Sequence, residues 1–413
     1  MSRNKVFFTC FFLLFITIKS IGQSLGFNLQ RGVNRIDIPF QLVNNLIVID
    51  IVFHQTFPVK FIFDTGAEHT ILCKKELAEI MGLPYHRTFK ILGADMRTEL
   101  TAHLLRKVSL KVKNTYIEAP EQDILVLDDD YFKLDEASGE KISGVLGADM
   151  FNRYVVKINY VKKIISLYDA EKFSPPNGFE VFDLDIKSGK PYFYPNVFVE
   201  NKDSIPLRIL LDTGSLLPML LFTNTHPSLR LPSQYIRGTI GVGLGGNVIG
   251  YVGKVNQVKF SPKISFDALP CHFQDIDLVL DSTSAKTRNG IIGQPILSRF
   301  TIYIDYMRSK LYLQPNHFYK KAIRFDKSGL NLIAVGADLG QFLVKDIVPN
   351  SPAHWADFRK NDEIVNINYI SANFYGLQEL NELFKKKGNK RMRIVIKRFG
   401  KRYVKYLRLK DLI

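Results

Sequence analysis

Apolar residues along this chain come in short runs that alternate with polar ones, the period of two expected of strands. Gly32 to Phe53 shows it first, in Leu46-Ile47-Val48-Ile49 and Ile51-Val52-Phe53. A further strand leads into Asp64. Leu77 to Leu83 predicts a short helix, and Lys90 to Lys113 returns to strand with a turn at Gly93-Ala94-Asp95. Asp128-Asp129-Asp130 and Leu134 to Lys141 predict a charged surface loop without the spacing of metal ligands. Ser174-Pro175-Pro176-Asn177-Gly178, rich in turn formers, marks the best break in the chain. Strand resumes at Tyr192 to Val199 and reaches Asp212, and Gly241-Val242-Gly243-Leu244-Gly245-Gly246 then reads as a hairpin tip. Past Pro315 the pattern changes. Leu377, Leu380, Leu383 and Phe384 have helical spacing, and Met392 to Leu409 supplies closing strands. The fold class is mainly β.

One segment occurs twice. Pro58-Val59-Lys60-Phe61-Ile62-Phe63-Asp64-Thr65-Gly66-Ala67 returns as Pro206-Leu207-Arg208-Ile209-Leu210-Leu211-Asp212-Thr213-Gly214-Ser215. A carboxylate at the end of an apolar strand is costly to bury without compensation, so two copies ask for a reason. A second motif repeats at one offset: Gly144, Gly147, Arg153, Ile158, Tyr160 and Leu167 return 146 residues later as Gly290, Gly293, Arg299, Ile304, Tyr306 and Leu313. Two copies describe a duplicated lobe rather than a solenoid.

On these residues the chain resembles the aspartic proteases, in which two lobes each donate an Asp-Thr-Gly loop and an apolar-apolar-Gly strand packs against each loop. The resemblance covers roughly residues 30 to 315. It implies a two-lobed, acid-protease-like β-barrel fold with Asp64 and Asp212 as the catalytic pair. Two carboxylates about 3 Å apart cannot both ionise easily and share a proton. The charged member takes a proton from a bound water, and the protonated member stabilises the developing oxyanion. No metal, cofactor or nucleophilic side chain is required. Thr65 and Thr213 are expected to cross-bond the two loops, and Gly66 and Gly214 to let the backbone approach the carboxylates. Ser215 can hydrogen-bond its carboxylate where Ala67 cannot, which would make the pair unequal. Gly93 and Ala94 in one lobe, and Gly243, Leu244 and Gly245 in the other, stand where retroviral enzymes carry a substrate-covering flap. The flap Tyr of the pepsin type is not evident. Glu68 stands where those enzymes place an acid on the substrate backbone, with an ordinary salt bridge as the alternative.

The last ninety residues resemble a PDZ domain. The carriers are Gln341 to Pro349, Ser351-Pro352-Ala353, and the turn Lys360-Asn361-Asp362 into Glu363-Ile364-Val365. A Gly commonly stands at the places of Asp357 and Asn361, and Asp and Asn tolerate the left-handed turn better than most residues. The resemblance implies that a peptide C-terminus adds as a strand along Phe342, Leu343 and Val344, its carboxylate caught by backbone N–H groups of the preceding loop.

Composition changes this picture little. A length of 413 residues, 46% apolar and 23% charged, fits two or three ordinary globular domains. The net charge of +16 suggests anionic partners, yet the basic residues are dispersed except around Lys385-Lys386-Lys387 and Lys397 to Lys410. No nucleic-acid motif accompanies them, so a solvated basic surface is the plainer reading. The glycine run at Gly241 lacks the Lys-Ser/Thr of a phosphate loop. None of the eight histidines, His54, His69 and His272 included, accompanies a Ser or Cys motif. Arg3, Lys5 and the apolar run Val6 to Ile18 read as a secretory signal over residues 1–23, with an uncleaved anchor as the alternative. Cys10 lacks a lipoprotein context, and Cys73 and Cys271 are expected as buried free thiols.

The expectation is therefore an exported chain, periplasmic or secreted: a signal at 1–23, lobes at 30–173 and 179–315, and a PDZ domain at 322–413. Its partners would be a protein or peptide substrate and a peptide C-terminus, with no nucleic acid and no stable membrane span after cleavage. A catalytically silent peptide-binding scaffold that keeps both folds is the alternative.

Overall fold

A computed structural model describes residues 26–30, 32–92, 99–200, 203–243, 246–276, 288–386 and 391–413. The expected signal at 1–23 lies outside them, as do Gly93, Ala94, Leu244 and Gly245, expected in the two flaps.

The described residues are mainly β, in four sheets. The first repeat folds into an eight-stranded curled sheet and the second into a larger one, and their centres match strand for strand. In the first, Phe57–Phe63 runs parallel to Gly144–Leu146, which pairs antiparallel with Ile71–Leu72, itself parallel to Glu118–Leu127. In the second, Ile209–Leu211, Gly290–Ile292, Met219–Phe222 and Ile264–Gln274 repeat these pairings with the same directions. The glycines that open the short central strands explain the sequence motif. A Cβ on Gly144 would stand 2.3 Å from the Ile71 carbonyl, and one on Gly290 2.2 Å from that of Leu220.

A third sheet joins the repeats. Its two central strands, Tyr154–Asn159 and Phe300–Asp305, are related by the 146-residue offset and pair antiparallel. Lys157 faces Tyr303, its own counterpart, so a pseudo-two-fold axis passes through that pair. Arg35–Pro39 and Glu180–Asp183 close the outer edges. One apolar core runs through all three sheets, with Phe63 stacked on Phe151 at 4.2 Å near its centre. Cys73 and Cys271 are buried free thiols.

The fourth sheet, with its own core, holds strands Leu330–Val335, Gln341–Ile347, Glu363–Ile367, Arg391–Arg398 and Lys401–Arg408 in that order, and helix Leu377–Phe384. Asp357 and Asn361 take φ of 55° and 69°, the left-handed region. The expected peptide site does not stand. Gln341–Ile347 is paired on both edges, and Phe342 and Val344 are buried in the core, so no added strand can lie beside Phe342, Leu343 and Val344. The outermost strands in this order are Leu330–Val335 and Lys401–Arg408. Sequence periodicity marks strands but does not say which one is outermost.

The acidic stretch predicted as loop contains a short helix, Leu134–Ser138, and its packing explains it. Leu134 joins apolar clusters under the loop, and Lys74 bridges Asp130 at 2.5 Å and Asp135 at 3.1 Å. This helix abuts the edge strand Leu330–Val335, and Asn44 N donates to Gln378 Oε1 at 2.9 Å.

Candidate active site

Both Asp-Thr-Gly loops leave the ends of core strands, and the core brings them face to face. Asp64 N donates to the Leu146 carbonyl and Asp212 N to that of Ile292, each at 3.0 Å, so each loop hangs from its own apolar-Gly strand. The threonines are buried and reach across. Thr65 Oγ1 donates to the Leu211 carbonyl at 2.7 Å and Thr213 Oγ1 to that of Phe63 at 2.8 Å. In return, Thr213 N donates to Thr65 Oγ1 at 3.1 Å and Thr65 N to Thr213 Oγ1 at 3.0 Å. Each hydroxyl both donates and accepts, leaving no unmade bond in a dry site, where an unpaired polar group costs about 1–3 kcal/mol.

The carboxylates meet between these loops. Gly66 N donates to Asp64 Oδ1 at 2.7 Å and Gly214 N to Asp212 Oδ1 at 2.9 Å. A Cβ on Gly66 would lie 2.6 Å from Asp212 Cγ, and one on Gly214 would lie 2.3 Å from Asp64 Oδ2. Each glycine thus presses against the opposite carboxylate, an approach that only a residue without a side chain permits. Burial raises the Asp64 carboxyl above its ordinary value, against the N–H groups donated to it. Burial, then the Asp64 charge and the hydrogen bond Asp212 donates to it, push Asp212 well above, with the Arg288 charge opposing. Two groups this close titrate as a pair that holds one proton over a broad range of pH.

Other expected residues fall differently. Ser215 Oγ accepts from Leu217 N at 3.3 Å rather than bonding Asp212, so it does not create the expected inequality. Glu68 lies 3.6 Å from Lys190 of the second repeat and 3.6 Å from His69, a salt bridge between the repeats. Gly243 ends the strand Tyr235–Gly243, one arm of the hairpin predicted as a flap. Among the described residues no His, Cys, Asp and Glu group could hold a metal ion.

Sequence reasoning missed a support found, among the described residues, in the first repeat alone. Thr70 donates to Asp149 from N at 2.9 Å and Oγ1 at 2.8 Å, and Gly147 N donates to Thr70 Oγ1 at 3.1 Å. The second loop is one residue longer before its strand meets the glycine: Leu72 pairs with Gly144, whereas Leu221 pairs with Gly290. There Gly293 N donates instead to the Pro218 carbonyl at 3.3 Å. The repeat differs here by a single residue, which a fixed offset hides.

A family model described as an aspartyl protease matches residues 49–150, the part of the chain holding Asp64-Thr65-Gly66 and Gly147. No curated protein matches. Among solved structures, the chain is similar to basic 7S globulin from soybean at 11% identity and a TM-score of 0.42, over 70% of this chain and 97% of that one. It is also similar to conglutin gamma, a basic 7S globulin from lupine seeds, at 13% identity and a TM-score of 0.41, over 68% of this chain and 95% of that one.

Proposed function

We propose that this chain is an aspartic endopeptidase, with lobes at 30–173 and 179–315, acting on exported or unfolded proteins. The observation that carries it is the contact of Asp64 and Asp212, each pressed by the other loop's glycine within a fully bonded threonine cross-link. A silent scaffold gains nothing from holding two carboxylates together at the cost of their desolvation. In the reaction the ionised member removes a proton from water as the oxygen attacks the peptide carbonyl. The protonated member donates to the carbonyl oxygen, and the amine leaves with a proton returned from the pair.

Hydrolysis requires one proton on the pair, so activity falls as pH drops through its lower apparent pKa and as pH rises through its upper one. Burial raises both groups, so the alkaline limb of kcat/KM should lie well above the ordinary carboxylate value of about 3.9. Cleavage of an unfolded protein measured across pH, with and without a statine-type peptide, tests this. The statine hydroxyl replaces the attacking water and should inhibit strongly. Activity that ignores the statine, or is abolished by a metal chelator, would point to a different mechanism.

The unit at 322–413 would be a PDZ domain whose peptide adds along Leu330–Val335, beside helix Leu377–Phe384, once helix Leu134–Ser138 has moved off that strand. Its carboxylate-catching loop is already engaged: Asp326 Oδ1 accepts from Ser328 N at 2.9 Å and Gly329 N at 2.6 Å. A peptide C-terminus must therefore displace Asp326, a half-buried residue whose carboxyl desolvation pushes up to about 6. The chain is proposed to work after export, in the periplasm or outside the cell.

A further inference from the structure

The hairpin Arg391–Arg398 and Lys401–Arg408 has no part in the dyad or the peptide groove, and its chemistry is unusual. Arg391 to Lys410 holds nine Lys and Arg and no Asp or Glu. Arg398 and Lys405 bond the carboxylates of Asp362 and Asp357, and Lys397 lies 3.5 Å from Glu363. Arg391, Arg393, Lys401, Arg402 and Arg408 have no carboxylate within ion-pair distance among the described residues. The register sets Arg391 opposite Arg408 and Lys397 opposite Arg402. Like charges directly across a strand pair are destabilising. The fold accepts that cost on its outer face.

The tip is odder still. Phe399 and Gly400 make the turn with φ of 49° and 79°, and Phe399 is 98% exposed. Asn or Gly suits the first of these positions, whereas a bulky side chain there is strained. An aromatic ring in full contact with water adds a second cost. Lys397 and Arg398 precede this ring, and Lys401 and Arg402 follow it.

We propose that this hairpin is a docking element for an anionic lipid surface, with Phe399 entering the headgroup layer and the flanking cations meeting lipid phosphates. Charge complementarity selects an anionic partner. The apolar tip selects a lipid layer over a nucleic acid. The rings best placed to stack bases, Tyr406 and Tyr369, are already covered by Arg391 and Arg393 at 4.1 and 4.8 Å. A single apolar contact with a few cations gives reversible attachment, which suits an enzyme that moves along a surface.

Co-sedimentation of the full chain with vesicles tests this, comparing phosphatidylcholine alone with phosphatidylcholine containing phosphatidylglycerol. Binding should require the anionic lipid and be lost at high salt. Lys401→Gln and Arg402→Gln should each weaken it about fivefold. Phe399→Asn should weaken it about tenfold without lowering the melting temperature, since Asn accepts the left-handed turn. Phe399→Trp should show a blue shift of emission on anionic vesicles alone. Equal binding to neutral vesicles, or full binding by Phe399→Asn, would overturn the proposal. So would retention on a DNA duplex or single-stranded RNA by protein that ignores the vesicles.

Discussion

Replacing either dyad carboxylate by its amide, Asp64→Asn or Asp212→Asn, should lower kcat/KM on an unfolded protein by about 10⁴-fold, the upper range for losing a general acid–base group. An amide neither takes the proton from water nor shares one with its neighbour. The accompanying stability change has a definite sign. Both carboxyls are raised above their unfolded values, so their contribution to folding is full below the unfolded pKa and is lost as pH rises through the folded ones. At neutral pH the pair is a burden on the fold. The amide variants should therefore melt at or above the parent temperature near pH 7.5, with the advantage shrinking towards about pH 4. A well-folded Asp212→Asn that retained parental activity would end the two-aspartate mechanism. An inactive variant that was also unfolded would leave Asp64→Asn as the deciding comparison.

Gly214→Ala should be nearly as damaging by a different route. The new methyl would stand 2.3 Å from Asp64 Oδ2, and the atom obliged to move belongs to the proposed catalytic pair. Displacing a reacting group by about 1 Å costs on the order of 10²-fold in rate. The overpacking itself costs about 1–3 kcal/mol. Gly66→Ala would press on Asp212 Cγ from 2.6 Å and should behave alike. The loss should fall on kcat more than on KM, because the substrate cleft is not filled. The measurement is kcat and KM with the melting temperature. Parental kcat in both variants would mean that the carboxylates are not held as close as the structure places them.

The dyad was legible because its chemistry is local and written twice. Asp-Thr-Gly sits at a strand end in both copies, and the glycines 83 and 81 residues downstream are dictated by carbonyls that a Cβ would strike. What lay hidden depends on contacts made at long range. Lys190 meets Glu68 between the repeats, and no spacing within either repeat announces it. Ser215 Oγ meets the N–H of Leu217 rather than the Asp212 carboxylate, a choice between two nearby partners that composition does not settle. Phe342 and Val344 lie in a strand, as their pattern predicts, but that strand is internal to its sheet. An apolar strand with neighbours on both sides and one with a single neighbour differ little in sequence. The acids of 128–141 look solvated until Lys74 is placed among them. Removing the last ninety residues would also be less innocent than their position in the sequence suggests, because Phe325 and Ile413 cover apolar residues of the second lobe, Leu220 and Phe222 among them.

The axis through Lys157 and Tyr303 carries a lesson about ancestry. If each half had once been a separate subunit pairing with an identical copy, the same position would have met itself. Lysine would then have faced lysine across antiparallel strands, or tyrosine would have faced tyrosine. In the fused chain the ammonium of Lys157 lies 5.1 Å from the centre of the Tyr303 ring, an attraction that no identical pair could make. Covalent fusion frees the two descendants of one residue to become complements, and it leaves each half a better match for the other than for itself.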